Sequence, residues 1–205
     1  SALAAYFCAS FAKEQGVSTL LAGDGGDEIF AGNSRYAKQK LFRPYELLPK
    51  IGQSLCKQVF LNTPLKKVPV TKKVASYIEQ ADTPLPDRLQ SYNFLHRFSP
   101  NEIFTADFLK DVDQGLPLEQ LRERYHQSGS SNAIDSMLYM DWKFTLADND
   151  LIKVNKMCEM AGVAVKFPLL EKEIVDFSCK IPASEKLPGN KLRDFFKKSM
   201  KNFLS

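Results

Sequence analysis

Between Leu20 and Gly32 the chain reads Leu-Leu-Ala-Gly-Asp-Gly-Gly-Asp-Glu-Ile-Phe-Ala-Gly, and few local folds accommodate that run. Residues 17–22 carry the β-branched and leucine side chains of a short buried strand. Gly23, Gly25 and Gly26 then permit a tight turn with backbone angles that other residues avoid. From Asp27 to about Phe42 the pattern becomes helical, with Ile29, Phe30, Ala37 and Leu41 on one face. A strand therefore runs through a glycine turn into a helix N-terminus, which offers backbone N–H groups and a positive dipole end to an anion. The turn also carries Asp24, Asp27 and Glu28. Carboxylates here serve either as favourable first-turn residues of the helix or as ligands for a divalent cation that in turn holds phosphate. No Gly-Lys-Ser/Thr follows, so the run is not a P-loop. Asp27 and Glu28 stand where a dinucleotide fingerprint needs glycine, and the later oxygen ligands of an EF-hand loop are missing.

The remaining chain reads as mostly helical. Helices are expected over residues 3–16, with Leu3, Tyr6, Phe7 and Phe11 on one side and Gly16 as cap, and over 51–61, 70–81, 86–98 and 117–126. Ser99-Pro-Asn-Glu102 has the form of a capping box with proline at the first helical position. Further helices are expected over 133–146, 149–161 with Gly162 as cap, 169–180 and 192–204. Residues 163–167 are extended before Pro168. One confident strand cannot stand alone, because its backbone groups need neighbours. The fold class is therefore mostly α within an α/β domain. The 205 residues, 44% of them hydrophobic, suit one substantial core and are expected to form a single domain, the later portion of a larger one.

Composition narrows the partners. No signal peptide and no apolar run long enough for a bilayer is present, so no membrane partner is expected. Cys8, Cys56, Cys158 and Cys179 lack paired metal spacing and sit in helical apolar contexts, which predicts buried thiols in a reducing cytoplasm. His96 and His126 are too separated for a zinc site or a triad and are expected at the surface. The net charge of +4 is modest, with Lys186, Lys191, Arg193, Lys197, Lys198 and Lys201 clustered at the end. That cluster is open to a solvated helix face or to phosphate contact. Without an aromatic platform or a known motif it gives no case for nucleic acid.

Residues 20–36 resemble the Ser-Gly-Glu/Asp-Gly-X-Asp-Glu-Leu/Val-Phe-X-Gly-Tyr segment of the asparagine synthetase family. A second match runs Asp148-Asn-Asp-Leu-Ile-Lys-Val-Asn-Lys-Met-Cys-Glu-Met160, then Val165-Lys-Phe-Pro-Leu-Leu-Glu171. It is similar to that family's Leu-Pro-Asp-Asp-Leu-Leu-X-Lys-Val-Asp-Arg-X-Ser-Met and Val-Arg-X-Pro-Phe-Leu-Asp. The two motifs occur in the family's order, and the similarity covers residues 3–48 and 141–204.

The resemblance implies part of an adenine nucleotide alpha hydrolase-like (ATP pyrophosphatase) fold. Its pyrophosphatase loop, Ser-Gly-Gly-X-Asp-Ser, and its amino-terminal glutaminase belong upstream and have no counterpart in these residues. The implied activity is ATP-dependent amide formation, in which a small-molecule or peptide carboxylate is adenylated and ammonia or an amine attacks the acyl-adenylate. ATP and Mg2+ are the implied cofactors of the full-length parent, and the chain by itself is expected to be inactive. Ala22, Gly23, Gly25 and Gly26 match the lining of the nucleotide and acyl pocket. Asp24 matches a position near the attacking amine, and Asp27 a magnesium-contacting aspartate. In the late basic motif Arg193 takes the place of the phosphate-contacting lysine, with Lys197 at the following basic position and Lys191 two residues out of register. Ala22 for serine, Asp24 for glutamate, Asn155 for aspartate, Cys158 for serine and Arg193 for lysine mark a divergent member. The alternative is a helical interaction module that keeps the fold without catalysis.

Overall fold

A computed structural model of the chain describes residues 2–61, 69–90 and 98–203. It divides into two compact units, residues 1–37 with 128–205, and residues 38–127.

In the first unit the helix Ala2–Glu14 lies against the helix Leu151–Ala161. Its Ala9 is fully buried, while the stripe Leu3, Phe7 and Phe11 stays 63–72% exposed. Gly16, at φ 77°, turns the chain into strand β1, Thr19–Leu21. β1 pairs in parallel with β2, Ala164–Lys166, placing Leu20 opposite Val165. The Ala164 N–H donates to the Ser18 carbonyl at 2.9 Å and the Ala22 N–H to the Lys166 carbonyl at 2.8 Å, which lengthens the ladder at both ends. The strand expected over residues 17–22 is present but is not buried, since Leu21 is 72% exposed. Helix Leu151–Ala161 packs on β2, and successive strand side chains face opposite ways. One face of a two-stranded ladder therefore stays open.

The helix expected from Asp27 to Phe42 is three short ones, Gly26–Phe30, Ser34–Lys40 and Arg43–Glu46. Buried Ala31 adopts the left-handed conformation at φ 56°, stopping the first, and its carbonyl accepts from the Arg193 N–H at 3.4 Å. Asn33 Oδ1 then accepts from the Arg35 N–H at 3.0 Å and starts the second. Conversely, the helices expected over 133–146 and 149–161 are joined. Ala133–Asp141 continues through a π-helical stretch, Trp142–Asp150, into Leu151–Ala161, which ends at Gly162 with φ 71°. The 169–180 expectation resolves into a 3₁₀ turn, Pro168–Leu170, and the helix Lys172–Lys180. The last helix is Asp194–Met200, shorter than expected because Arg193 is itself left-handed at φ 54°; Leu204 lies outside the described residues.

Ile29, Phe30 and Ile181 form the core beneath the turn, and the Phe30 ring packs on Phe196 at 5.1 Å and Phe195 at 6.4 Å between centroids. Beside it Tyr36 and Asp141, both essentially inaccessible, are joined by a hydrogen bond from the phenol to Asp141, which also pairs with Arg35.

In the second unit the helices Lys50–Leu61 and Pro69–Asp82 pack together, around Phe42, Tyr45, Ile78 and Ala81. Arg88, 2% exposed, lies over the Phe42 ring at 4.6 Å and donates to the carbonyls of Thr83 and Ala81 at 2.8 and 3.1 Å. The capping box forms as expected, with Glu102 Oε2 accepting from the Ser99 N–H at 2.6 Å. Of the helix expected over 86–98, Asp87–Gln90 is present, and 91–97, with His96, lie outside the described residues. All four cysteines are free. Cys158 is buried as expected, whereas Cys8 and Cys179 are exposed, because an apolar helical context does not decide which face packs. Among the described residues no helix is long and apolar enough to cross a membrane.

Candidate active site

The site is built where β1 leaves the sheet. Gly25, the N-cap of the short helix that follows, sits at φ 92°, a conformation only glycine adopts without steric cost. A β-carbon there would lie 2.1 Å from Leu170 Cδ2, and one on Gly26 would lie 2.9 Å from Leu169 Cδ1. The turn therefore rests directly on the two leucines that follow β2, and its missing side chains are what allow the contact. The first sequence motif and the end of the second are brought together at this point.

Above the contact lies a cavity of about 380 Å³. Its wall is made by Gly23, Asp24, Gly25, Gly26, Asp27 and Glu28 from the turn, Leu146 and Asp150 from the π-helical stretch, and Leu169, Phe30, Phe196 and Arg193. The wide turn of the π stretch, a geometry often found at functional sites, sets Leu146 and Asp150 on the cavity wall. Of the residues singled out in the sequence, Gly23, Asp24, Gly25, Gly26, Asp27 and Arg193 meet here. Ala22 stands one residue before the wall, on the ladder. Lys191 and Lys197 are exposed and are not among the lining residues. Among the three basic candidates the fold thus separates Arg193 from its neighbours.

Four carboxylates and one guanidinium face this space. Arg193 Nη1 lies 3.3 Å from Asp27 Oδ1, and both side chains are nearly half exposed. Gly32 is packed beneath this pair, since a β-carbon on it would fall 1.8 Å from Asp27 Oδ1 and 3.0 Å from Arg193 Cδ. Asp150 is held by Lys153 Nζ at 2.5 Å. Among the described residues Glu28 has no such cation. Burial pushes its carboxyl up to about 7, against a backbone hydrogen bond that lowers it, and the charges of Asp27, Asp141 and Asp150 push the same way as burial. Glu28 was named in the sequence only with Asp24 and Asp27 as a turn carboxylate, and Asp150 was not singled out. Both lie within the quoted motifs, but an acid in a first helical turn gives no sign of burial.

Among the described residues no group of three or more His, Cys, Asp or Glu side chains is gathered closely enough to hold a metal ion. Magnesium commonly takes one or two protein carboxylates and completes its shell with water and phosphate oxygens. Asp27 is placed to give one carboxylate, provided Arg193 releases it.

The family described as "Asparagine synthase" matches residues 1–205. Asparagine synthetase [glutamine-hydrolyzing] 1 of Bacillus subtilis (strain 168) is 28% identical over 183 residues, covering 89% of this chain and 27% of that protein. A protein of Mycobacterium tuberculosis (strain ATCC 25618 / H37Rv) named "Putative asparagine synthetase [glutamine-hydrolyzing]" is 22% identical over 196 residues, 89% of this chain and 26% of that protein. The chain thus spans about a quarter of the length of the curated relatives it matches. No solved structure matches it.

Proposed function

The chain belongs to the asparagine synthase family, and from that premise we propose that it is the later part of a synthetase domain that forms an amide at the expense of ATP. In the proposed reaction a carboxylate oxygen attacks the α-phosphorus of ATP, the α–β anhydride breaks and pyrophosphate leaves. Ammonia or an amine then attacks the acyl carbon, AMP departs, and the nitrogen loses a proton. The single observation that carries this reading is the cavity at the glycine turn, where residues from both ends of the chain converge on one space.

Ala22, Gly23, Gly25 and Gly26 would border the nucleotide and the acyl group, and Asp24 would stand near the attacking nitrogen. Arg193 would meet the departing pyrophosphate, since a fixed cation strongly stabilises charge developing in a water-poor site and a guanidinium binds phosphate bidentately. Lys191 and Lys197 would add positive potential from the surface. Magnesium, when bound, would draw the phosphate charge, with Asp27 as its contact from this chain. The acceptor is a small-molecule or peptide carboxylate.

The open sheet supports a further part of the proposal. A parallel pair is ordinarily covered on both faces and flanked by more strands, and Leu21 leaves a face of this one bare. Upstream strands carrying the pyrophosphatase loop would cover it in an adenine nucleotide alpha hydrolase-like domain, preceded by a glutaminase, in the cytoplasm.

One observation favours the second reading, a non-catalytic helical module. Asp27 is engaged by the arginine that stands where the family has lysine. Pyrophosphate release by the longer protein, given ATP, magnesium, ammonia and a pool of carboxylates, separates the two. Carboxylate-dependent release supports the synthetase; release from none of the pool favours the module.

A further inference from the structure

A second cavity, of about 510 Å³, lies in the same unit on the other side of Glu28, which lines both spaces. Its floor is apolar, with Ile29, Leu138, Val175 and the ring of Trp142. Its polar groups are mostly engaged already. Ser178 Oγ donates to the Val175 carbonyl at 2.8 Å, Ser128 and Ser136 share a hydroxyl contact at 2.8 Å, and Lys143 Nζ lies 5.5 Å from the centre of the Tyr139 ring.

Lys186 is among those that are not. It closes the short helix Ala183–Lys186 and is only 6% exposed, yet it lines this cavity. Among the described residues its side chain makes no hydrogen bond and no ion pair, although Asp135 acts on it through space. Its ammonium, with no acceptor among those residues, opens onto the cavity, and the burial of the side chain holds the Lys186 amine below the ordinary lysine range. Three N–H donors therefore stand beside an apolar and aromatic floor, with the carboxyls of Glu28 and Asp135 also on the wall, and an apolar space with a few convergent polar groups is the usual composition of a small-molecule site.

We propose that this second cavity binds a small carboxylic acid with a compact apolar or aromatic body, its carboxylate accepting from Lys186 Nζ and its body lying against Trp142. The site is independent of the reaction proposed for the glycine turn. Its volume falls within the range of ligand pockets, and a charge-assisted hydrogen bond to the Lys186 ammonium gives the anion its preference over a neutral molecule of equal shape.

Trp142 is the chain's one tryptophan, so its fluorescence reports occupancy of this cavity. Benzoate serves as the probe and benzamide as its neutral counterpart, titrated into the 205-residue chain. A saturable change with benzoate is expected, with benzamide about tenfold weaker or worse. Lys186→Met should weaken benzoate by at least the same factor, while Arg193→Ala in the first cavity leaves it unchanged. Equal binding of benzoate and benzamide, or undiminished binding by a folded Lys186→Met variant, overturns the proposal. Should that variant not fold, amide NMR of the unaltered chain decides. Benzoate-dependent shifts at Ser178, Cys179 and Leu187 support the site, and shifts confined to residues 23–28, or none up to the solubility limit, refute it.

Discussion

Replacing Gly25 by alanine tests whether the glycine turn is a structural requirement of the site or an incidental loop. Two costs add at this position. The left-handed φ of 92° penalises a β-carbon by about 1–2 kcal/mol. The new carbon would also fall 2.1 Å from Leu170 Cδ2 and 2.9 Å from its Cγ, and overpacking of this kind costs about 1–3 kcal/mol. The sum is about 2–5 kcal/mol. Gly23→Ala is the control, because nothing lies within 4 Å of its β-carbon and its φ is not positive; it should change stability by less than about 1 kcal/mol. Urea unfolding followed by Trp142 fluorescence reads the unit that holds the turn. The double variant Gly25→Ala/Leu170→Ala separates the two costs, since truncating the leucine removes the clash and leaves the strain. A favourable coupling of about 1–3 kcal/mol is expected from the cycle. Gly25→Ala unfolding together with Gly23→Ala, or strictly additive substitutions at 25 and 170, would refute the reasoning.

Three further outcomes follow from the same geometry. Gly32→Ala should part Asp27 from Arg193, because its β-carbon would meet Asp27 Oδ1 at 1.8 Å; a crystal structure of the variant with the 3.3 Å pair intact would contradict this. Tyr36→Phe removes a buried donor from Asp141 and should cost about 1–3 kcal/mol in urea unfolding, so a variant as stable as the parent would show that the network carries no stability. Lys186 has its amine lowered by burial, with Asp135 and Cys179 opposing. Between its folded-state pKa and the ordinary lysine value the unfolded chain holds more protons. Stability should therefore rise with pH through that window. Lys186→Met should flatten the rise in Tm measured across alkaline buffers, and an unchanged slope would count against the burial of the charge.

The parts legible in the sequence were those set by local chemistry. Three glycines among acids announced a turn, and the turn exists with Gly25 at positive φ. Ser99 and Glu102 announced a cap, and it forms. What escaped depends on distant partners. Ala31 breaks the first helix in a conformation alanine rarely adopts, and its carbonyl is met by Arg193 from the far end of the chain. The π-helical stretch contains no proline or glycine to mark it. Tyr36, Arg35 and Asp141 pair across more than a hundred residues, and Lys186 read as one more surface cation in a basic run. Choosing Arg193 over Lys191 and Lys197 as the cavity's cation likewise needed the fold.

The most direct test of the proposed synthetase is carboxylate-dependent exchange of labelled pyrophosphate into ATP, measured in the longer protein with two single substitutions. Arg193→Ala removes the one cation on the wall of the glycine-turn cavity among the described residues. Lys201→Ala removes an exposed one beyond the end of the helix Asp194–Met200. If Arg193 meets the departing pyrophosphate, its loss should lower exchange by about a hundredfold, the scale seen when one preorganised charge-stabilising group is deleted, while Lys201→Ala leaves exchange near the parent rate. Small and equal effects from both would make the C-terminal helix a solvated surface and would contradict the account.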